Sequence, residues 1–200
     1  MNPKDLHAIE VKRHTGAEPF HFSSNKTGFN LLSFWQWSSS DIVGNALRGI
    51  IAEYLVACAM GCESSVRTEW DACDIKTAEG IKIEVKSGAY IQSWHQKKLS
   101  PISFGIGQTY GWDAKENEFS TIQMRQADVY VFCVLAHKDK ATIDPLNLDQ
   151  WEFYCISAST INEKLGSQKS LRLGSLLKLD PIKTTYNNLQ NVVNEIFQTC

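Results

Sequence analysis

The chain has no apolar run long enough to span a membrane, so no transmembrane helix is expected. Its opening residues, MNPKDLHAIEVKRH, lack the hydrophobic core of a signal peptide, and a cytoplasmic location is the expectation. An excess of either charge is lacking too. Lys and Arg number 20 against 22 Asp and Glu, a net charge of −2. That balance argues against a broad, non-specific polyanion-binding surface but permits a local basic cleft. The six cysteines contain no CxxC pair and no zinc-ribbon spacing, so reduced, partly buried thiols are expected. No internal repeat or low-complexity segment is present. The G-x-G at 105–107 precedes no helix signature and gives no nucleotide-binding signal.

What is present is the material of one globular domain, or of one domain with a small appendage. Two hundred residues with 43% apolar content can bury a core. Residues 1–40 are irregular and aromatic-rich, with Phe20, Phe22, Phe29, Phe34, Trp35 and Trp37. They read as a hydrophobic segment packed on the core, with a base-stacking platform as the alternative. Residues 41–200 read as the main domain. Ser40 or Asp41 caps a helix from Ile42 to Met60, stopped by Gly61, with an apolar stripe through Val43, Leu47, Ile50, Ile51, Tyr54, Leu55 and Cys58. Glu53 is the one acidic residue inside it, beside the small residues Ala46, Gly49 and Ala57. Ala89–Lys98 reads as a short helix ending before Pro101. GWDAKENEFS reads as a loop. DVYVFCVLA, from Asp128, reads as a fully buried central strand and WEFYCI as another. Ser159 or Thr160 caps a short helix ending at Gly166, and Thr185 caps a last amphipathic one.

The chemistry concentrates in WDACDIKTAEGIKIEVKSG, Trp70 to Gly88. Ile81 to Val85 alternates apolar and polar residues, and Asp74-Ile75-Lys76 continues the alternation. Ala78-Glu79-Gly80 makes a three-residue hairpin loop, with glycine where a positive φ is needed. That loop pairs Ile75 with Ile83 and places Asp74 opposite Glu84. Directly opposed residues share a face. Asp74, Lys76, Lys82, Glu84 and Lys86 then line a polar face, and Ile75, Ile81, Ile83 and Val85 an apolar one. Asp71 has the wrong parity unless a bulge intervenes. Opposed carboxylates need a cation between them, and hard oxygen ligands suit Mg²⁺ or Mn²⁺, with the Val85 carbonyl as an added ligand. Such a metal polarises a phosphoryl oxygen and acidifies bound water, and Lys86 orients the water or neutralises developing charge. Lys82, Ser87, Gln92 and Lys97 are placed to contact substrate. Taken singly, these features also fit a solvated hairpin and an ordinary exposed glutamate. Their order and spacing favour a site.

The segments RGIIAEYLVACAM, DIKTAEGIKIEVKSG, AYIQSW and DVYVFCV, across roughly residues 41–135, resemble the PD-(D/E)xK, restriction endonuclease-like nuclease superfamily, within it an uncharacterised bacterial group. The departure is Cys73 where a proline often precedes the aspartate. The resemblance implies an α/β fold with a restriction endonuclease-like core, a mixed central β-sheet flanked by helices. It implies Asp74 and Glu84 as metal ligands, Lys86 as the catalytic lysine and Glu53 as the helix carboxylate supporting the metal. It implies Mg²⁺- or Mn²⁺-dependent phosphodiester hydrolysis of nucleic acid, DNA foremost, with a homodimer possible. The alternative is an inactive nucleic-acid-binding or assembly module that keeps the fold.

Overall fold

Val129–Leu135 is buried at every one of its positions, which requires apolar layers on both faces of the sheet that holds it. The computed structural model describes residues 9–67, 72–113 and 118–199. The chain divides into two compact units, Met1–Ser40 with Ser64–Val66, and Asp41–Glu63 with Arg67–Cys200.

In the first unit, β1 (Pro19–Phe22) and β2 (Asn25–Asn30) form an antiparallel hairpin that leads into helix α1 (Leu31–Ser38). Asn30 and Ser33 cap α1 reciprocally, each side chain accepting the other's backbone N–H. Phe20 and Phe29 pack across the hairpin with centroids 5.1 Å apart. All six aromatic residues singled out in this segment keep substantial exposure, greatest at Trp37 (82%).

The second unit runs α2 (Asn45–Ala59), β3 (Ile75–Lys76), β4 (Lys82–Ala89), β5 (Ser103–Gly105), β6 (Thr109–Asp113), β7 (Glu118–Met124), β8 (Val129–Leu135), β9 (Trp151–Ser157), α3 (Ala158–Leu165), β10 (Ser170–Arg172), α4 (Leu173–Leu177), β11 (Ile182–Thr184) and α5 (Leu189–Gln198). The central sheet has the order β11-β9-β8-β4-β3, with β4 and β8 parallel and the other neighbours antiparallel. It is the expected mixed α/β architecture. One face, through Ile83, Val85, Val131, Cys133 and Phe153, packs on α2 and α5. The other, through Tyr130, Phe132, Tyr154 and Ile156, packs on α3, α4 and the β5–β10 ribbon. In β8 and β9 alternate residues serve opposite cores, so these two strands are almost continuously apolar, whereas β4 carries Glu84 and Lys86 opposite its core face. Among the described residues no helix is long and apolar enough to cross a membrane.

Several local expectations change. Helix α2 begins at Asn45, not Ile42, because the Asp41 side chain (3.0 Å) and carbonyl (3.1 Å) both accept the Gly44 N–H and hold a turn there. Its buried side is Arg48, Ala52 and Val56, while Ile50 (40%) and Tyr54 (55%) are exposed. Gly61, at φ +69°, ends it as expected. The segment after β4 is not a helix: β4 runs on to Ala89 and a loop follows. There the Gln96 side chain accepts the Gln92 N–H (2.7 Å) and donates to Tyr90 O (3.1 Å), replacing the pairing a helix would supply. GWDAKENEFS is not a plain loop, since its ends belong to the β6–β7 hairpin, whose aromatic residues favour strand. Ser157, rather than Ser159 or Thr160, caps α3.

Gly88 lets β4 approach β5. A Cβ there would lie 2.6 Å from Ile102 Cγ2 and 3.1 Å from Phe104 Cε1, both core side chains. Gly88→Ala is therefore expected to lower stability by about 1–3 kcal/mol. Denaturant unfolding checks this, and an unchanged midpoint would contradict the close packing described.

Candidate active site

The hairpin has the register the spacing implies. Ile75 faces Ile83, and Lys76 faces Lys82. Thr77 N–H donates to Ile81 O (3.0 Å), Gly80 N–H to Thr77 O (3.0 Å), and Ile81 N–H to Thr77 Oγ1 (3.3 Å). Gly80 sits at φ +89°, a conformation that glycine adopts at little cost. The three-residue loop therefore forms. Strand β3 pairs no further back than Ile75, and Asp74 Oδ2 accepts the Val85 N–H at 2.7 Å. A side chain, not a strand carbonyl, satisfies that amide and fixes the carboxylate beside β4.

The parity of β4 follows. Ile83 and Val85 are buried in the first core, while Glu84 and Lys86 are half-buried on the opposite face. Lys86 Nζ lies 2.5 Å from Glu84 Oε1. Glu84 is level with Tyr130 on β8, and Lys86 with Phe132. Asp74, Glu84 and Tyr130 line one cavity of about 220 Å³. Glu53 projects from α2 and pairs with Arg67, at 2.5 Å from Oε2 to Nε and 3.3 Å from Oε1 to Nη2. Its charge still reaches Asp74 and makes that carboxylate harder to ionise.

The remaining candidates are more scattered. Lys82 is exposed, with its backbone N–H held by Asp128 Oδ2 at 2.9 Å. Ser87 has the parity of Val85, not of Glu84, and its buried Oγ makes no hydrogen bond among the described residues. Gln92 is buried: its Oε1 accepts from Arg48 Nη1 (3.2 Å) and its Nε2 donates to Ala89 O (3.1 Å). Its amide is thus engaged in holding the end of β4 to α2. Arg48, on the same helix as Glu53, bonds Val43 O, Asn45 Oδ1 and Gln92. Lys97 is exposed in the loop after β4. Asp71 lies outside the described residues.

Electrostatics mark Asp74. Burial, then the Glu84 carboxylate, push its pKa up to about 6, against the easing effect of the Val85 N–H and Lys86. Burial and then Glu84 also raise the Tyr130 phenol, which stays protonated at neutral pH. The raised Asp74 pKa and the oxygen donors of Asp74, Glu84 and a main-chain carbonyl form a donor set that a hard divalent cation could use. Among the described residues no group of three His, Cys, Asp or Glu stands close enough to hold one.

Sequence reasoning missed the cavity's other wall. Arg125 is buried and donates to Ile106 O (2.9 Å), Asn162 Oδ1 (2.6 Å), Gly166 O (2.8 Å) and Gln168 O (3.1 Å), tying β5 to the end of α3. Gln126 Nε2 donates to Thr109 O (3.0 Å) and Met124 O (3.3 Å), closing the base of the β6–β7 hairpin, and lines the same cavity as Asp74 and Glu84. The aromatic residues of β6 and β7 were the available signal, and the polar residues between the two strands obscured it.

Residues 7–173 match the family model described as bacteriophage T4 endonuclease IV. The matched span includes Glu53, Asp74, Glu84 and Lys86. No curated protein and no solved structure was found to match.

Proposed function

The chain belongs to the bacteriophage T4 endonuclease IV family, and on that premise we propose that it is a Mg²⁺- or Mn²⁺-dependent nuclease of the PD-(D/E)xK type that hydrolyses phosphodiester bonds in DNA. The observation that carries this reading is the hairpin face on which Asp74, fixed by the Val85 N–H, meets the Glu84–Lys86 pair. In this reading Asp74 and Glu84 hold the metal with the Val85 carbonyl. A divalent cation there supplies Lewis acidity and an acidified water.

The chain's own groups do the positioning. The Val85 amide occupies one oxygen of Asp74 and leaves the other for a ligand. The short Glu84–Lys86 contact keeps the ammonium beside the carboxylate, where it can hold the attacking water or meet charge growing on the phosphate. Arg67 pins Glu53 with two hydrogen bonds, so Glu53 acts on the site through its charge.

A second reading, a non-catalytic nucleic-acid-binding or assembly module, draws on the absence of a three-residue ligand cluster among the described residues. Metal titration separates the two. The nuclease reading expects Mg²⁺ or Mn²⁺ to raise the melting temperature of the wild type, by about 2.7 kcal/mol of added stability at 100 times the Kd. Asp74→Asn should remove that gain. A melt indifferent to either metal favours the module.

A further inference from the structure

The β6–β7 hairpin carries large apolar side chains that the core does not use. Trp112 and Phe119 are cross-strand partners, with ring centroids 4.8 Å apart and planes at 56°. Phe119 is 65% exposed and Tyr110 50%. Residues that served only to hold the hairpin together would bury these rings, and they do not. All three line the cavity that also holds Asp74, Glu84 and Tyr130.

The base of the hairpin is closed by a side chain. Gln126 bonds carbonyls on both of its strands, at Thr109 and Met124. Gly111 leaves room for that carboxamide, since a Cβ there would come 2.9 Å from Gln126 Oε1. Gln126, the exposed rings and the carboxylates all line the same cavity.

The cavity has two chemistries. One side is anionic and metal-suited. The other is aromatic and only partly covered. Its volume of about 220 Å³ falls below the roughly 300–1,000 Å³ typical of pockets for drug-sized ligands, so it suits one planar group. A nucleotide has the same division, a phosphate for the carboxylate side and a flat base for the aromatic side. Resting on the nuclease reading above, we propose that Tyr110 and Phe119, backed by Trp112, form a stacking site for the nucleobase next to the scissile phosphate. The hairpin is then the element through which the enzyme senses the base at the cut. Stacking is tolerant of base identity, so the site sets position more than sequence.

The test uses short oligonucleotides carrying the fluorescent base aminopurine, titrated with the Glu84→Gln protein so that cleavage does not interfere. The proposal expects fluorescence to be quenched when the labelled base occupies the site. Adding Tyr110→Ala or Phe119→Leu should relieve the quenching and weaken binding by about 5- to 150-fold each, the value of one lost stack. Phe119→Leu keeps apolar bulk while removing the ring, and both side chains are exposed, so the melt should not change. Equal quenching and equal affinity in all three proteins would overturn the proposal, as would no quenching at any label position. A wild-type protein that cuts no nucleic acid would overturn the nuclease reading instead, and the binding titration would still decide the stacking site.

Discussion

Asp74→Asn is expected to yield a protein that is inactive yet more stable than the wild type in metal-free buffer near neutral pH. Burial and the neighbouring Glu84 raise the folded pKa of Asp74 from 3.8 to about 6. The folded state therefore holds the Asp74 proton more tightly than the unfolded chain does. The stability this group contributes is complete below about pH 4 and is lost as the pH rises through about 6. At about pH 8 the deficit approaches roughly 3 kcal/mol, at 1.36 kcal/mol per unit. Asparagine removes the charge, and its amide oxygen can still accept the Val85 N–H. Denaturant unfolding from about pH 4 to about pH 8 should show the two proteins converging in acid and separating in base, with Asp74→Asn the more stable. An Asp74→Asn protein that is no more stable than wild type at about pH 8 would sink this account of the site. A bound cation lowers the Asp74 pKa, so the acid limb of wild-type activity should lie below about pH 6.

Lys86→Ala and Glu84→Gln carry the other large effect. Each should lower kcat by about 10²–10⁴-fold, the range for losing a proton-transfer group or an electrostatic stabiliser of the transition state. Neither should alter the fold. Both side chains keep part of their surface in water, at 27% and 21%, so neither substitution strands a fully buried charge. Glu84→Gln has a second signature. It removes the charge that ranks behind only burial in raising Asp74, so the acid limb of the residual pH profile should move to lower pH. A merely structural role for Glu84 would leave that limb in place. Lys86→Ala should move it the other way, because the ammonium eases Asp74's ionisation.

Much of this site was legible because strand parity is a two-state variable. A three-residue loop at Ala78-Glu79-Gly80 sets the register, and the register decides which face Asp74, Glu84 and Lys86 occupy. Val129–Leu135 and Trp151–Ser157 were equally plain, since strands buried on both faces must be apolar throughout. The failures share a cause. Of the α2 stripe read from Val43 to Cys58, Ile51 and Leu55 pack against the core, but Ile50 and Tyr54 are exposed, and the fully buried positions are Ala52 and Val56, small enough for close approach. The segment after Ala89 has helical periodicity locally, but Gln96 satisfies its backbone from a side chain, which periodicity does not record. The β6–β7 hairpin was hidden by an exposed, mixed composition, with neither face contributing to either main core. Arg67 and Arg125 could not be assigned because each acts on residues distant in sequence.

Single-turnover cleavage is the most direct measurement of the central claim. Wild type, Lys86→Ala and Glu84→Gln, matched for folded protein, would be mixed with duplex and single-stranded DNA and RNA in Mg²⁺ or Mn²⁺. The hairpin site predicts cleavage of DNA by wild type that a chelator stops, and that either substitution reduces by at least about 100-fold while the protein stays folded. Cleavage at the wild-type rate by both variants, from preparations free of other nucleases, would contradict it.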